Sequence, residues 1–451
     1  MTGTPRTTQR GTRQDRVPRR HYPGWHMVWA LAATETVSFG AMYYSFAVLL
    51  VPMQQDLGHS ATQLTGAFSV SLLVTGAAAV PVGAWLDRHG ARALMTCGSL
   101  LGAAALAAWS RAESLPSLYT AFVLLGIAGA ATQYEPAFAT VNAYFETQRR
   151  DALLTLTVVA GFASTIFMPL TTFLTDYFGW RTALLLLALL QAATALPHAW
   201  LLRRSPADHG WQRDGTRTAE PAVETVRPPA DDAPRAPGTP DGLLAALRSR
   251  PVVLLTAGAL LGTLAVATIS VHLVSYLREH HYTPATAAIA AGALGAMQVA
   301  GRIALTMTAR RVRLAVVTAT MISGQVLAVT ALLAIPGTTG LVVFVLFFGS
   351  AFGVLHIARA DLLADYAPRR YFARLSGIQA LLLVTAEAAA PTGAAALRTA
   401  AGTYTPVLIT VATICAAAAV LLFGADHAHR SRTPRASAPV GRGEKAGHRA
   451  A

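Results

Sequence analysis

Six ionisable residues stand where charge is expensive. Glu35, Glu135, Arg302, Arg359, Asp361 and Glu387 all fall inside long apolar stretches of the chain. On insertion scales such a group costs about 2.5–3.5 kcal/mol at the centre of a bilayer, so it faces a protein interior or a wet cavity and is a functional candidate by default. An arginine in such a place grips a carboxylate through two parallel N–H donors, or pairs with a glutamate when the cavity is empty. A glutamate in a partly dry cavity can load and release a proton near neutral pH. The two types together suffice for proton-coupled exchange of an anion.

The elements that must position these groups are transmembrane helices. The chain of 451 residues is 53% hydrophobic and only 13% charged, where soluble domains run near 25% charged. That deficit, with many apolar runs of about 20 residues, predicts an all-α integral membrane protein. Breaks at charged, Gly and Pro residues give twelve spans. The first six cover 26–53, 64–86, 92–110, 116–145, 152–176 and 181–202. The second six cover 252–277, 284–309, 313–335, 338–365, 374–397 and 404–424. Two six-helix halves follow, 25–202 and 251–424, between an Arg-rich N-tail (1–24) and a basic C-tail (425–451). The segment 203–250, rich in Pro, Asp and Arg, has no apolar periodicity and reads as a mobile linker.

Charge fixes the expected orientation. Of the 36 Lys and Arg, all but Lys445 are Arg, and only Arg302 and Arg359 lie within spans. Arg111, Arg181, Arg278 and Arg398 lie on one side, and the other thirty share the side of both tails. This bias places both tails and 203–250 in the cytoplasm. The net charge of +14 has no aromatic-studded basic domain behind it, which excludes nucleic acid as partner. Cys97 and Cys415 both lie in apolar segments, which argues against a disulfide framework. The Arg-rich start is followed by an apolar stretch too long for a cleaved signal, so an uncleaved first helix is expected.

Depth follows from the helical rise of about 1.5 Å per residue. Glu35 in span one and Glu135 in span four each come out about 6 Å to the tail side of the centre, and Arg302 in span eight about 7–8 Å. Three charges of complementary sign thus share one layer. Other readings stand beside this one. Arg302 is also suited to an ion pair that locks the halves. Glu135 precedes Pro136 and could serve backbone groups freed by a kink. Arg359 and Asp361 sit near the inner end of span ten, where snorkelling or a gate salt bridge is the expected role. His272 and His356 read as satisfied polar residues rather than ligands. Tyr43, Tyr44 and Tyr134 suit either a cavity wall or packing.

One short turn carries a recognisable pattern. Gly83-Ala84-Trp85-Leu86-Asp87-Arg88-His89-Gly90-Ala91-Arg92 joins spans two and three. Its glycine lets two helix ends approach, its Asp can accept from backbone N–H groups at a helix N-terminus, and its arginines stay at headgroup level. An ordinary positively charged turn would look similar. The run nonetheless resembles the loop signature of the major facilitator superfamily of secondary transporters, with Ala91 replacing one of two usual basic residues. Two equal halves joined by a long polar loop are the layout of that fold. The resemblance gives Asp87, Arg88, Gly83, Gly90 and Arg92, with Arg359 and Asp361, a part in gating and conformational exchange.

Further stretches are similar to a bacterial branch near the monocarboxylate and oxalate/formate porters. These are Gly24-Trp25 and Ser38-Phe39-Gly40 through Phe46 in span one, and Tyr134-Glu135-Pro136-Ala137-Phe138-Ala139 with Tyr144-Phe145 in span four. They include Gly161-Phe162-Ala163-Ser164 through Pro169 in span five, with Gly179-Trp180-Arg181 beyond it. His272-Leu273-Val274-Ser275-Tyr276-Leu277 in span seven and Gln298-Val299-Ala300-Gly301-Arg302 in span eight complete the set. The resemblance covers 24–424. It implies that spans one, four, seven and ten line a central cavity and that Arg302, Glu135, Glu35, Gln298, Tyr134 and Tyr43 bind or couple substrate. It implies a multi-pass protein of the bacterial inner membrane, monomeric, driven by a proton gradient rather than a cofactor. Three departures stand out. Gln298 occupies a position where monocarboxylate porters have Asp, the lysine they use in span one has no counterpart, and the loop around Arg310-Arg311-Val312-Arg313 has lost its acid.

Three functions fit. A proton-linked carrier of a small organic anion comes first, and an efflux antiporter for a drug or metabolite second, since four membrane acids face two arginines. A non-transporting membrane sensor comes third, but neither the tails nor 203–250 carries a folded soluble domain. No Walker motif, metal-spaced His/Cys set or nucleophile elbow appears, which excludes ATP drive and a membrane enzyme. The arginine bias makes the topology testable. Single cysteines at Thr218 and Ser431, with Cys97 and Cys415 removed, are expected to resist an impermeant maleimide in intact cells; ready labelling of either overturns the orientation.

Overall fold

The structure is a computed structural model that describes residues 22–203, 213–215, 242–309, 311–368 and 371–431. The start of the N-tail, most of 203–250, Arg310 and the end of the C-tail lie outside the described residues, as do the side chains of Asp87, Arg150 and His356. The described residues form helices and no strand. The first half holds α1 (Pro23–Phe39), a π-turn at Gly40–Tyr44, α2 (Ser45–Leu57), α3 (Ala61–His89), α4 (Ala91–Ser110) and α5 (Leu115–Thr132). It continues with α6 (Tyr134–Tyr144), α7 (Arg149–Ala160), α8 (Ala163–Ala193) and α9 (Ala195–Leu201). The second half holds α10 (Leu243–Leu247), α11 (Arg250–Glu279), α12 (Pro284–Thr308) and α13 (Leu314–Ala334). After these come α14 (Thr338–Phe352), α15 (Val354–Tyr366), α16 (Phe372–Ala401) and α17 (Thr405–Arg430).

Among the described residues, ten helical stretches are long and apolar enough to cross a membrane. One of them, Asp151–Leu201, has 51 residues. At about 1.5 Å per residue it is more than twice the roughly 30 Å of a hydrocarbon core. It turns back at Gly179 (φ 77°, ψ 157°), which a residue with a Cβ would adopt only under strain, and so makes two passes. Gly353 splits span ten into α14 and α15, of 15 and 13 residues, neither of which crosses alone. The chain therefore enters at Tyr22 and leaves at Arg430 on one face, called here the tail face, opposite the far face.

Spans one, four, five and ten are broken near their middles. Pro136 and Pro197 cannot donate to the carbonyls of Thr132 and Ala193, so helices end there and α6 and α9 start afresh. The break in span four thus falls at Gln133, three residues before the proline expected to kink it. Pro391 leaves α16 continuous.

Two aromatic-rich cores lie on the far side. Phe46 stacks on Phe68 at 4.6 Å in the first half, and Phe344 on Phe348 at 5.0 Å in the second. Each half also ties its far rim with an ion pair. Asp56 at the end of span one meets Arg181 at the start of span six at 3.0 Å. Glu279 at the end of span seven meets Arg398 of span eleven at 3.1 Å and accepts the Tyr404 backbone N–H at 3.0 Å. On the tail face, Arg313 donates to both Asp426 oxygens at 2.9 and 2.6 Å. The acid absent from the loop between spans eight and nine is supplied in space by span twelve.

The ordered halves extend past the expected limits. Tyr22 is buried and its hydroxyl donates to the Tyr144 carbonyl at 2.8 Å. Within 203–250, α10 packs Ala246 into the second-half core. Asp214 accepts from the backbone N–H groups of Glu146, Thr147 and Gln148 ahead of α7. Burial pushes its carboxyl up, but those bonds together hold it below the ordinary value. The linker is thus not uniformly mobile: two short pieces are held by the bundles.

Spans eight and ten meet through glycine. A Cβ on Gly301 would overlap the Ser350 backbone, Met297 packs on Gly349, and the Gln298 amide lies on Gly353. This close approach aims the neighbouring Arg302. Gly301→Ala is expected to lower stability by about 1–3 kcal/mol through overpacking, read as a fall in Tm in detergent. An unchanged Tm would show that the two spans can part freely.

Candidate functional site

The two halves are joined on the far side and part toward the tail face. Ala47 and Val48 of span one pack among Ile269, Leu273 and Val274 of span seven. Ser69 of span two bonds Thr392 of span eleven at 2.7 Å, and Val384 lies against Gly76. Closer to the tail face this seam opens, since a Cβ added at Gly83 or Gly377 would meet no atom within 4 Å. Spans five and eight stay in contact farther down. Thr165 donates to the Gly292 carbonyl at 2.7 Å, and Arg302 Nη1 donates to the Thr157 carbonyl at 3.0 Å.

The membrane charges gather where the sealed part ends. Glu35 is fully buried on α1, and neither carboxyl oxygen has a hydrogen-bond partner among the described residues. Glu135 is exposed in the first turn of α6, where the half-helix dipole favours an acid. It lies within electrostatic reach of both Glu35 and Glu387. Tyr134 interacts with Glu35 and Arg302, and its ring contacts Phe39 at 4.8 Å. Tyr44 interacts with Arg302 and Glu387. Tyr43 donates its hydroxyl to Glu387 Oε1 at 3.1 Å, a bond from the first half to the second.

Sequence reasoning placed Glu35, Glu135 and Arg302 in one layer, and the structure joins them through Tyr134. Glu387 belongs to the same cluster, although its sequence position alone did not rank it with them. The signal was present, because Glu387 is an acid at the middle of α16, four residues before Pro391. Gln298 is only 8% exposed and packs on Gly353, away from the acids. Thr157 was missed because a backbone carbonyl has no sequence signature.

The gating residues lie apart from this cluster. Gly90 (φ 76°) is the single residue between α3 and α4, so glycine is required for the turn. Arg88 and Arg92 are exposed on the tail face, and the space around Gly83 is open, so the close helix approach expected there is not made in this conformation. Arg359 is half-buried, with Nε and Nη1 lacking hydrogen-bond partners among the described residues, whereas Asp361 is exposed. Two positions apart on α15, they do not face each other. His272 is buried and satisfied, with Nε2 donating to the Pro391 carbonyl at 2.8 Å and Nδ1 accepting from the Tyr404 hydroxyl at 3.1 Å. A separate recess between Tyr276, His280, Tyr282 and Ile335 lies at the far face and holds none of the membrane acids.

A profile of the Major Facilitator Superfamily matches residues 32–391. The chain belongs to that superfamily. It is 34% identical over 165 residues to monocarboxylate transporter 11 of Mus musculus, covering 36% of each chain. It is 32% identical over 169 residues to monocarboxylate transporter 13 of Bos taurus, covering 37% of this chain and 39% of that one. The chain thus spans little more than a third of the length of these relatives. A bacterial homologue of the human lysosomal transporter Spinster, inward-facing and unoccupied, has a TM-score of 0.65 at 14% identity, over 92% of this chain and 97% of that one. A POT family transporter in complex with 5-aminolevulinic acid gives 0.65 at 13% identity, over 90% and 97%. These likenesses show the fold. As a superfamily member the protein is a membrane transporter, not an enzyme.

Arg302 is the cation of the cluster, and Nη1 of its planar fork donates to the Thr157 carbonyl. Arg302→Lys keeps the charge and loses the fork. It is expected to lower transport of an anionic solute about ten- to hundredfold. Normal transport by this variant would leave Arg302 as a tie between the halves.

Proposed function

We propose that the protein carries a small organic acid, such as a monocarboxylate, together with a proton by alternating access. The observation that carries this reading is the cluster at the end of the seam, one arginine among carboxyls and tyrosines contributed by both halves. Arg302 receives the carboxylate of the solute. A nearby glutamate takes the proton, so that the pair crosses with less net charge than the anion alone. The relatives named monocarboxylate transporters support the substrate class. Gln298 does not titrate, which assigns the proton to one of the glutamates.

The seam suggests the cycle. In the conformation described, the cavity opens at the tail face. Reversal would close that face around the Asp87 turn and bring the spans beside Gly83 and Gly377 together, while the far seam at Ser69 and Thr392 parts. Gly83, Gly90, Arg88 and Arg92 serve this exchange, and Arg359 and Asp361 serve the tail-side gate. The arginine bias supports a tail face in the cytoplasm; on this reading the protein works as a monomer in a bacterial inner membrane.

A second reading is efflux of a cationic compound. It is favoured by Glu35, Glu135 and Glu387 outnumbering Arg302 in the cluster. Proteoliposomes with an imposed pH gradient separate the two. Accumulation of radiolabelled lactate or pyruvate, collapsed by a protonophore, is expected. Proton-driven movement of a cationic dye with no response to any small acid would replace the first reading with the second.

A further inference from the structure

Among the described residues, Glu387 is the acid of the cluster that takes part in a hydrogen bond between the halves. Tyr43 stands in the π-turn of span one and Glu387 at the middle of α16, 344 residues apart in sequence. Their bond exists because the far seam is closed. Ser270 of span seven lies beside Tyr43. From that same span His272 holds the carbonyl of Pro391, four residues beyond Glu387.

We propose that Glu387 is the carboxyl on which the transported proton rides, and that Tyr43 ties its protonation to closure of the far face. This rests on the proton-coupled reading above. A ligand shifts a conformational equilibrium only by interacting differently with the two states. A proton on Glu35 is poorly placed for this, since that carboxyl is sealed inside the first half. Glu135 is exposed in the open state, and among the described residues no hydrogen bond ties it across the seam to the second half. A proton on Glu387 does qualify. The ionised carboxyl accepts a charge-assisted bond from Tyr43 while the far face is sealed, and protonation weakens that bond.

The step balances simply. A proton from water on one face bonds to a Glu387 oxygen, the Tyr43 O–H stays intact, and the carboxyl returns the proton to water on the other face. The groups that interact with Glu387 are Tyr43 and Tyr44 of span one and Glu135 of span four. One turn farther along α16, at Pro391, stand His272 of span seven and, bonded to it, Tyr404 ahead of α17. Span two brings its ionisable side chains only at its tail end, at Asp87, Arg88 and His89, and span ten brings Arg359, Asp361 and Asp365 toward the tail face.

The test needs no solute. Spin labels at Glu113→Cys and Thr403→Cys, on far-face loops of opposite halves, would report far-face opening by pulsed electron resonance in protein lacking Cys97 and Cys415. Lowering pH is expected to enrich the long-distance population. Glu387→Gln should hold that population raised at every pH, and Tyr43→Phe should raise it at high pH and blunt the pH response. Glu35→Gln and Glu135→Gln should respond as the parent does. In proteoliposomes Glu387→Gln should lose proton-driven lactate accumulation about tenfold or more while retaining lactate exchange. A pH response intact in Glu387→Gln, absent in the parent, or lost instead in Glu35→Gln or Glu135→Gln overturns the proposal. Failure of the parent to move any small acid, with the Glu387-dependent opening intact, would sink the substrate reading alone.

Discussion

A bilayer offers no partner to a polar group, and this single constraint shapes the molecule. Backbone groups must be satisfied within helices, and charges must be met by other side chains or by a wet cavity. Where helices break, at Gln133, Gly161 and Gly353, carbonyls and N–H groups become available at membrane depth. Two of these breaks adjoin the charged cluster. Glu135 stands in the first turn of α6, and Thr157, one turn before Gly161, accepts both the Gly161 backbone N–H and Arg302. Irregular backbone and costly charge therefore occupy the same region, each reducing the cost of the other.

The halves behave as separately braced bodies. Asp56–Arg181 closes the far rim of one, and Glu279–Arg398 closes the corresponding rim of the other. Neither pair crosses the seam. The contacts that do cross combine apolar packing, such as Ala47 and Val48 on span seven and Val384 on Gly76, with single hydrogen bonds. Among the described residues these include Ser69–Thr392, Thr165–Gly292, Arg302–Thr157 and Tyr43–Glu387. Ion pairs within halves and none of the described ones between them suit rigid-body rocking about a central site.

Much of this was legible in the chain. Apolar length located the spans, and the cost of charge in lipid singled out Glu35, Glu135, Arg302, Arg359, Asp361 and Glu387. Helical rise placed three of them at one depth. Pro136 signalled a break, although the break in span four fell at Gln133 because a proline frees the carbonyl four residues earlier. Composition alone read 203–250 as a linker. It missed α10 and Asp214, because a five-residue helix has too little periodicity to register and a cap is visible only beside the N–H groups it serves.

Sequence by itself determined which residues could not face lipid, how many times the chain crosses and where its basic side lies. These are local properties of hydropathy and charge, set by the solvent around each segment. Tertiary structure decided which of those residues meet. Depth is one coordinate, and it cannot say that Tyr43 reaches Glu387 or that Arg302 reaches Thr157. Those pairings depend on how two helical bundles lean together, and on glycines such as Gly301 that let spans eight and ten approach closely enough to aim a side chain into the seam.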